Sequence, residues 1–242
     1  EHVRATMILA AFWLLIFSIP TFLLIIETKK KETDFLPMKR LKEGFNILLK
    51  IPGLPRFLFA RMLYTDGLTV VFAAAGIYAG KVFGFPLSKV IILGIVVNVF
   101  CGIGAIAGGI IEDKIGSFKT IKFSLYSLLI LGIGILLAPT EIWFWIFAVL
   151  VGIFIGPVQS SSRSLFAQST PEKYKSQLFG FYMFAGKSTS FIGPAIYGWL
   201  VLTAKNLGFE EYSRAGMLIV ILFFIAGIVI LGSNGPQKSV QN

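Results

Sequence analysis

The chain has 242 residues, of which 56% are hydrophobic and only 14% charged, and its formal net charge is +10. This composition excludes a soluble domain with one core and indicates a membrane protein. Most Lys and Arg residues lie between apolar runs, where they orient a membrane protein, so we do not expect nucleic-acid binding. The single cysteine, Cys101, can form no intrachain disulfide and is expected to be a small packing residue.

Seven apolar stretches are long enough to cross a bilayer core of roughly 30 Å as helices. They are approximately 7–26, 57–80, 88–111, 121–138, 142–162, 178–202 and 216–233. These stretches predict an all-α membrane protein. The chain begins at Glu1 without a methionine and with no cleavage site, so we expect a fragment or a chain whose front has been removed.

The longest polar segment, 27–56, separates the first stretch from the other six and is rich in Lys. Within it, Leu41, Phe45, Leu48 and Leu49 are spaced as an apolar stripe on a helix. Two alternatives fit this pattern equally well. The helix lies on the cytoplasmic membrane surface, or it packs on the bundle as an ordinary linker helix.

Placing 27–56 inside the cell fixes the orientation of the remaining loops by alternation. Lys and Arg then favour the inner side by about three to one, as the positive-inside rule requires. We therefore predict an external amino end and an internal carboxy end.

Small residues predict how the helices pack. Three pairs of glycines lie four residues apart on apolar stretches: Gly76 and Gly80, Gly104 and Gly108, and Gly152 and Gly156. Such pairs give flat faces on which helix backbones approach closely. A second role as sliding surfaces during conformational change is the alternative.

Motifs for catalysis are missing from the sequence. Residues 185–189 resemble the end of a phosphate-binding loop, but the spacing to the preceding Gly180 is wrong and no strand precedes it. Paired cysteines, zinc motifs and a nucleophile elbow are not found either. We expect no enzyme activity, no cofactor and no metal site.

Polar groups inside the apolar stretches are the candidate functional residues. They are Arg61, Asp66, Asn98, Gln159 and Lys187. A charge at the bilayer centre costs about 2.5 to 3.5 kcal/mol on insertion scales, so these groups are expected to face a bundle interior or a watery cavity. The alternative is a structural ion pair that locks two helices. For Arg163, close to the end of its stretch, simple snorkelling is expected.

Asp66 and Lys187 are predicted to meet near the membrane midplane. Each lies roughly nine positions from the cytoplasmic end of its stretch, or about 14 Å at 1.5 Å per residue. A carboxylate that faces an ammonium can pair with it, or release it on protonation, so the pair is a candidate proton-coupling switch. A permanent structural lock is the alternative.

A charged turn joins the third and fourth stretches. Its pattern is Gly109, Asp113, Lys114, Gly116 and Lys119, with Gly116 suited to a tight turn. This turn resembles the signature loop of the major facilitator superfamily. The resemblance implies two inverted three-helix repeats, here preceded by one extra transmembrane helix, and alternating access. We expect Asp113 to stabilise one access state through charge-assisted contacts with cations and a helix amino terminus.

Four further segments, 56–67, 76–80, 156–165 and 186–194, resemble the autophagy-related protein 22-like, or vacuole effluxer-like, branch of that superfamily. This implies a secondary transporter of a small solute, with amino acids the leading class, coupled to protons or another ion. Its membrane would be the bacterial cytoplasmic membrane, or the vacuolar membrane in a eukaryote. A non-transporting scaffold or a truncated transporter product is the alternative.

The resemblance also divides the chain. Residues 1–26 would be the last helix of an amino-terminal half, 27–56 a cytoplasmic linker with an amphipathic helix, 57–234 the carboxy-terminal six-helix half and 235–242 a cytoplasmic tail. The expected partners are the lipid bilayer, the solute, the coupling ion and the missing amino-terminal helices of the same transporter.

Overall fold

The computed structural model describes residues 2–24, 37–209 and 211–236, and the regular elements in these ranges are helical. The α-helices are α1 (His2–Leu24), α2 (Pro37–Lys50), α3 (Leu54–Phe83), α4 (Leu87–Ile115), α5 (Ser117–Leu137), α6 (Glu141–Ser169), α7 (Lys175–Ala185), α8 (Ile192–Asn206) and α9 (Tyr212–Leu231). The predicted all-α membrane fold is confirmed. Lysines 29–31 of the linker and residues 237–242 of the tail lie outside the described residues.

Six of the described helices are long and apolar enough to cross a membrane, namely α1, α3, α4, α5, α6 and α9. The chain divides into two units, 1–38 and 39–242. In the first unit, α1 is a continuous helix with Pro20 inside it. In the second, α3 packs against α8 and α9, α4 against α6, and α5 against α6 and α9.

The predicted single helix over 178–202 is wrong, because α7 ends at Ala185 and α8 begins only at Ile192. Residues 186–191 form a turn between them. Its glycine, serines and threonine are weak helix formers whose side chains compete for backbone partners. The Ser190 hydroxyl, for example, donates to the Lys187 carbonyl at 2.9 Å. Hydropathy detects the length of this span but not the break.

The interface between α4 and α6 is formed by glycines from both helices. A Cβ on Gly104 would overlap the Ile153 carbonyl, and one on Gly156 would overlap the Cys101 carbonyl. A Cβ on Gly108 would meet Pro157, and one on Gly152 would lie 2.7 Å from the Val97 carbonyl, so these two glycines are also crowded by the facing helix. The predicted close approach is therefore present at both of these glycine pairs.

The remaining pair, Gly76 and Gly80, is less closely packed. A Cβ on Gly76 would meet the Val90 side chain at 2.7 Å, whereas one on Gly80 would lie 3.7 Å from the Phe85 carbonyl, an ordinary contact. This pair therefore does not form a continuous backbone contact like that between α4 and α6.

Helix α2 packs on the bundle through part of its apolar stripe. Leu48 is buried, and the rings of Phe45 and Phe181 of α7 lie 6.1 Å apart. Leu41 and Leu49 stay exposed. The contacts are those of a packed linker helix, the second of the two alternatives. Contact with the membrane surface stays a prediction.

We predict that Gly156→Leu prevents α4 and α6 from packing, because its side chain would overlap backbone atoms that cannot move aside. The matched control is Gly102→Leu on α4, where a Cβ meets no atom within 4 Å. Thermal unfolding of the purified variants should show a loss of several degrees or of folded protein for Gly156→Leu alone. Equal stability of the two variants would show that the close approach is not required.

Candidate functional site

Arg61 of α3 is held by the last turn of α7. Its Nη1 donates a hydrogen bond to the Tyr182 carbonyl at 3.0 Å, and its guanidinium lies 3.6 Å from the centre of the Tyr182 ring. Gly186, the first residue of the break, lies directly against this guanidinium, so a side chain there would displace it from its present position. The glycine that ends α7 thus makes room for the Arg61 charge.

A small polar cavity of about 170 Å³ lies beside Arg61. Its lining residues are Arg61, Tyr64, Thr65, Leu68, Thr69, Phe72, Gln159, Ser162, Arg163 and Tyr182. The structure thus brings together two of the five candidate residues, Arg61 and Gln159. It adds Arg163, which is close enough to the Tyr182 side chain to interact with it. Arg163 is exposed and contributes to the cavity wall, and its snorkelling to the interface stays a prediction.

Buried hydroxyls fix the wall of this cavity. Tyr64 is fully buried, and its hydroxyl lies 2.6 Å from the Ser162 hydroxyl, which in turn donates to the Val158 carbonyl. This contact joins α3 to α6 beside the two arginines. Sequence reasoning missed Tyr64, Ser162 and Tyr182. Their signal was a set of phenols and hydroxyls within otherwise apolar stretches.

Asp66 is buried, with 2% of its surface exposed, and it accepts a hydrogen bond from the Thr189 hydroxyl at 3.1 Å. Lys187 is exposed, and within the described residues it belongs to no ion pair. The predicted contact between Asp66 and Lys187 is therefore not formed. The reason is the break after Ala185, which turns Thr189 toward α3 in place of Lys187.

Asn98 lies apart from this site. It is exposed on α4, and its amide donates to the Gly94 carbonyl of its own helix at 2.8 Å. It lines a second, larger cavity that contains neither Arg61 nor Asp66. The structure thus separates Asn98 from the other candidates.

The signature turn is organised by a residue that sequence reasoning passed over, Glu112. Gly116 ends α4 with φ 85°, a conformation that favours glycine, and Ser117 begins α5. The two carboxylate oxygens of Glu112 accept hydrogen bonds from Ser117 and from Ser161 of α6, each at 2.6 Å. A carboxylate is also favoured here by the amino terminus of α5. Glu112 thus joins α4, α5 and α6.

Asp113, Lys114 and Lys119 are exposed, and none of them is in an ion pair within the described part of the chain. The charge-assisted contacts predicted for Asp113 are made by its neighbour Glu112, with hydroxyls in place of cations. Gly109 faces open space. The pattern located the turn correctly, and Glu112 is the carboxylate that anchors it here. The role of Asp113 in stabilising one access state stays a prediction.

Over residues 1–241 the chain matches the family model described as "Vacuole effluxer Atg22 like". The chain belongs to this family. An "Uncharacterized MFS-type transporter YxiO" of Bacillus subtilis is 28% identical over 88% of the chain and 48% of its own length. An "Autophagy-related protein 22" of Cryptococcus neoformans is 26% identical over 79% of the chain and 36% of its own length. This Atg22-like chain thus spans about half, or less, of these relatives.

The fold of the Atg22-like chain is also found among solved structures. A bacterial homologue of the human drug peptide transporters PepT1 and PepT2 superimposes with a TM-score of 0.67 at 15% identity, covering 78% of this chain and 41% of the other. The predicted major facilitator fold is confirmed. The chain is an integral, multi-pass membrane protein with that fold.

We predict that Glu112→Ala destabilises the protein while Asp113→Ala, its adjacent control, does not. Glu112 accepts two hydrogen bonds, and each hydrogen bond to a charged group is worth about 1.5 to 3 kcal/mol. Thermal unfolding of the two purified variants measures the difference. Equal shifts in the two unfolding midpoints would contradict the assignment of the anchor to Glu112.

Proposed function

We propose that this chain is the carboxy-terminal half of a secondary transporter that moves a small carboxylate solute by alternating access, with amino acids the leading class. One observation carries the proposal: two guanidinium groups, Arg61 and Arg163, line the same small cavity beside a helix break. In transporters, discontinuous helices typically surround the substrate near the midplane.

The chemistry of this cavity fits a carboxylate. Guanidinium groups bind carboxylates through paired, charge-assisted hydrogen bonds, and they do so better than ammonium groups because their geometry is planar. Arg61 is already oriented by Tyr182, so little freedom is lost when a ligand binds. Gln159 supplies an amide on the same wall. The remaining helices of the same transporter would close the cavity from the other side.

Asp66 is our candidate for coupling to a proton or another cation. Its carboxylate is buried beside the broken helix, where a cation or a proton can compensate its charge. Protonation would change the contact with Thr189 and hence the position of residues 186–191. Substrate at Arg61 and an ion at Asp66 would then act on the two ends of one break.

Access would change by movement of this half against the other, with the signature turn at Asp113 and Gly116 favouring one state.

The likeness to the Bacillus subtilis relative supports a bacterial cytoplasmic membrane, and the likeness to the Cryptococcus neoformans relative supports a vacuolar one in a eukaryote.

We predict that Arg61→Gln lowers amino-acid transport at least about tenfold, because a hydrogen bond to a charged group is worth about 1.5 to 3 kcal/mol. Counterflow of labelled amino acids into proteoliposomes that contain the full-length protein measures this. Arg61→Lys, which keeps the charge but not the planar fork, should lose part of the activity. The control is Lys205→Gln, which neutralises an exposed cation in the last turn of α8.

One result would contradict this role for Arg61, and another would contradict the transport of amino acids. Unchanged counterflow in folded Arg61→Gln protein would exclude Arg61 from substrate binding. No counterflow of any amino acid in the unmodified protein would favour the scaffold alternative.

We predict that Asp66→Asn abolishes accumulation driven by a pH gradient but preserves counterflow. The amide oxygen of Asn can still accept the Thr189 hydrogen bond, so the fold around the break is retained. Lys187→Gln is the control, because Lys187 is exposed and should leave both activities unchanged. Gradient-driven accumulation by the Asp66→Asn protein would exclude Asp66 from proton coupling.

A further inference from the structure

A second cavity, of about 590 Å³, lies among α3, α4, α5, α6 and α9. Aliphatic and aromatic side chains and glycines line it, and Asn98 is its one polar side chain among the described lining residues. The Asn98 amide is already bonded to the Gly94 carbonyl. A ligand in this cavity therefore meets apolar surface almost everywhere, and nothing proposed so far uses it.

The two cavities have one lining residue in common, Phe72. This residue of α3 lines both the polar cavity of about 170 Å³ and the apolar one. Sites for small organic ligands usually enclose about 300 to 1,000 Å³, so the polar cavity by itself fits only a head group. The apolar cavity lies within that range. Together they have the polarity of an amphiphile: two cations at one end and hydrocarbon at the other.

We propose that the transported solute is a carboxylate with an extended alkyl or acyl tail, and that the apolar cavity binds this tail past Phe72. The carboxylate lies between Arg61 and Arg163, so the inference rests on the proposed function and names its substrate class. Burial of the tail supplies the affinity, while the arginines fix its direction.

Two glycines keep the apolar cavity open. A Cβ on Gly94 of α4 would meet no atom within 4 Å, and one on Gly132 of α5 would lie 4.0 Å from Ile221. A Cβ at position 94 therefore fits without overlap, and a leucine there would extend into space that the tail needs. Gly102 of the same helix is equally uncrowded but does not line the cavity, so it provides a matched control.

The test uses a series of unbranched 2-amino acids from alanine to 2-aminodecanoate, which share one carboxylate and differ only in tail length. Their competition with a labelled member of the series is measured on purified full-length protein. We expect affinity to rise about fourfold for each added methylene, the factor that burial of one CH₂ predicts. Gly94→Leu should remove this gain for the long members and leave alanine unaffected, whereas Gly102→Leu should preserve the whole series.

The remaining outcomes distinguish failure of the tail site from failure of the proposed carboxylate transporter. Affinities that depend on Arg61 but not on tail length would overturn the tail site and leave the carboxylate transporter intact. The same is true if Gly94→Leu and Gly102→Leu behave alike. If Arg61→Gln weakens binding of alanine but leaves the affinity of the long members unchanged, the tail binds at a lipid-chain site separate from the carboxylate site, and the inference is overturned. Carboxylate binding that never depends on Arg61 would remove the proposed function itself.

Discussion

A lipid environment cannot hydrogen-bond a peptide group, and this constraint governs the broken helix between α7 and α8. Backbone groups released by a break cost several kcal/mol each if they face hydrocarbon, so non-helical backbone must be satisfied within the protein. Here the turn satisfies part of its own backbone, with the Gly186 amide donating to Tyr182 and the Ile192 amide donating to Thr189. Helix α3 supplies further contacts. Arg61 binds the Tyr182 carbonyl and Asp66 accepts from Thr189, so two charged side chains stabilise the irregular segment.

The same contacts explain why charges can be present in α3 at all. Arg61 and Asp66 are costly in an apolar helix, and each offsets part of that cost by bonding to a different end of the break. Two glycines allow this close packing. A Cβ on Gly186 would meet the Arg61 guanidinium, and a Cβ on Gly193 would lie 2.9 Å from the Asp66 backbone carbonyl. Helix α3 and the break therefore depend on each other. A shift of residues 186–191 would change the surroundings of both Arg61 and Asp66. The proposed coupling of substrate and ion requires such a shared element.

Hydropathy was sufficient for the class of the fold and for six of the seven predicted spans, because bilayer thickness fixes how long an apolar helix must be. It could not reveal the break in 178–202, since apolar content is the same for a continuous and a discontinuous helix. The prediction that Asp66 and Lys187 meet, which was based on their equal depth in the membrane, failed for a related reason. Distance along a span gives the level of a side chain but not its direction, and the turn directs Thr189 to α3. At the signature turn, Glu112 and Asp113 are neighbours of equal charge, so only the fold distinguishes them.

The signature turn and the polar cavity are joined by one stretch of α6. Ser161 donates to Glu112 at the turn, while its neighbour Ser162 contacts Tyr64 at the cavity wall. Between α4 and α6 the glycines bring the backbones into contact. A displacement of the turn would act on α6 through the bond of Ser161 to Glu112, and on α3 through the contact of Ser162 with Tyr64. The Tyr64 contact is where that movement would reach the two arginines, which gives the turn a direct physical route to the site.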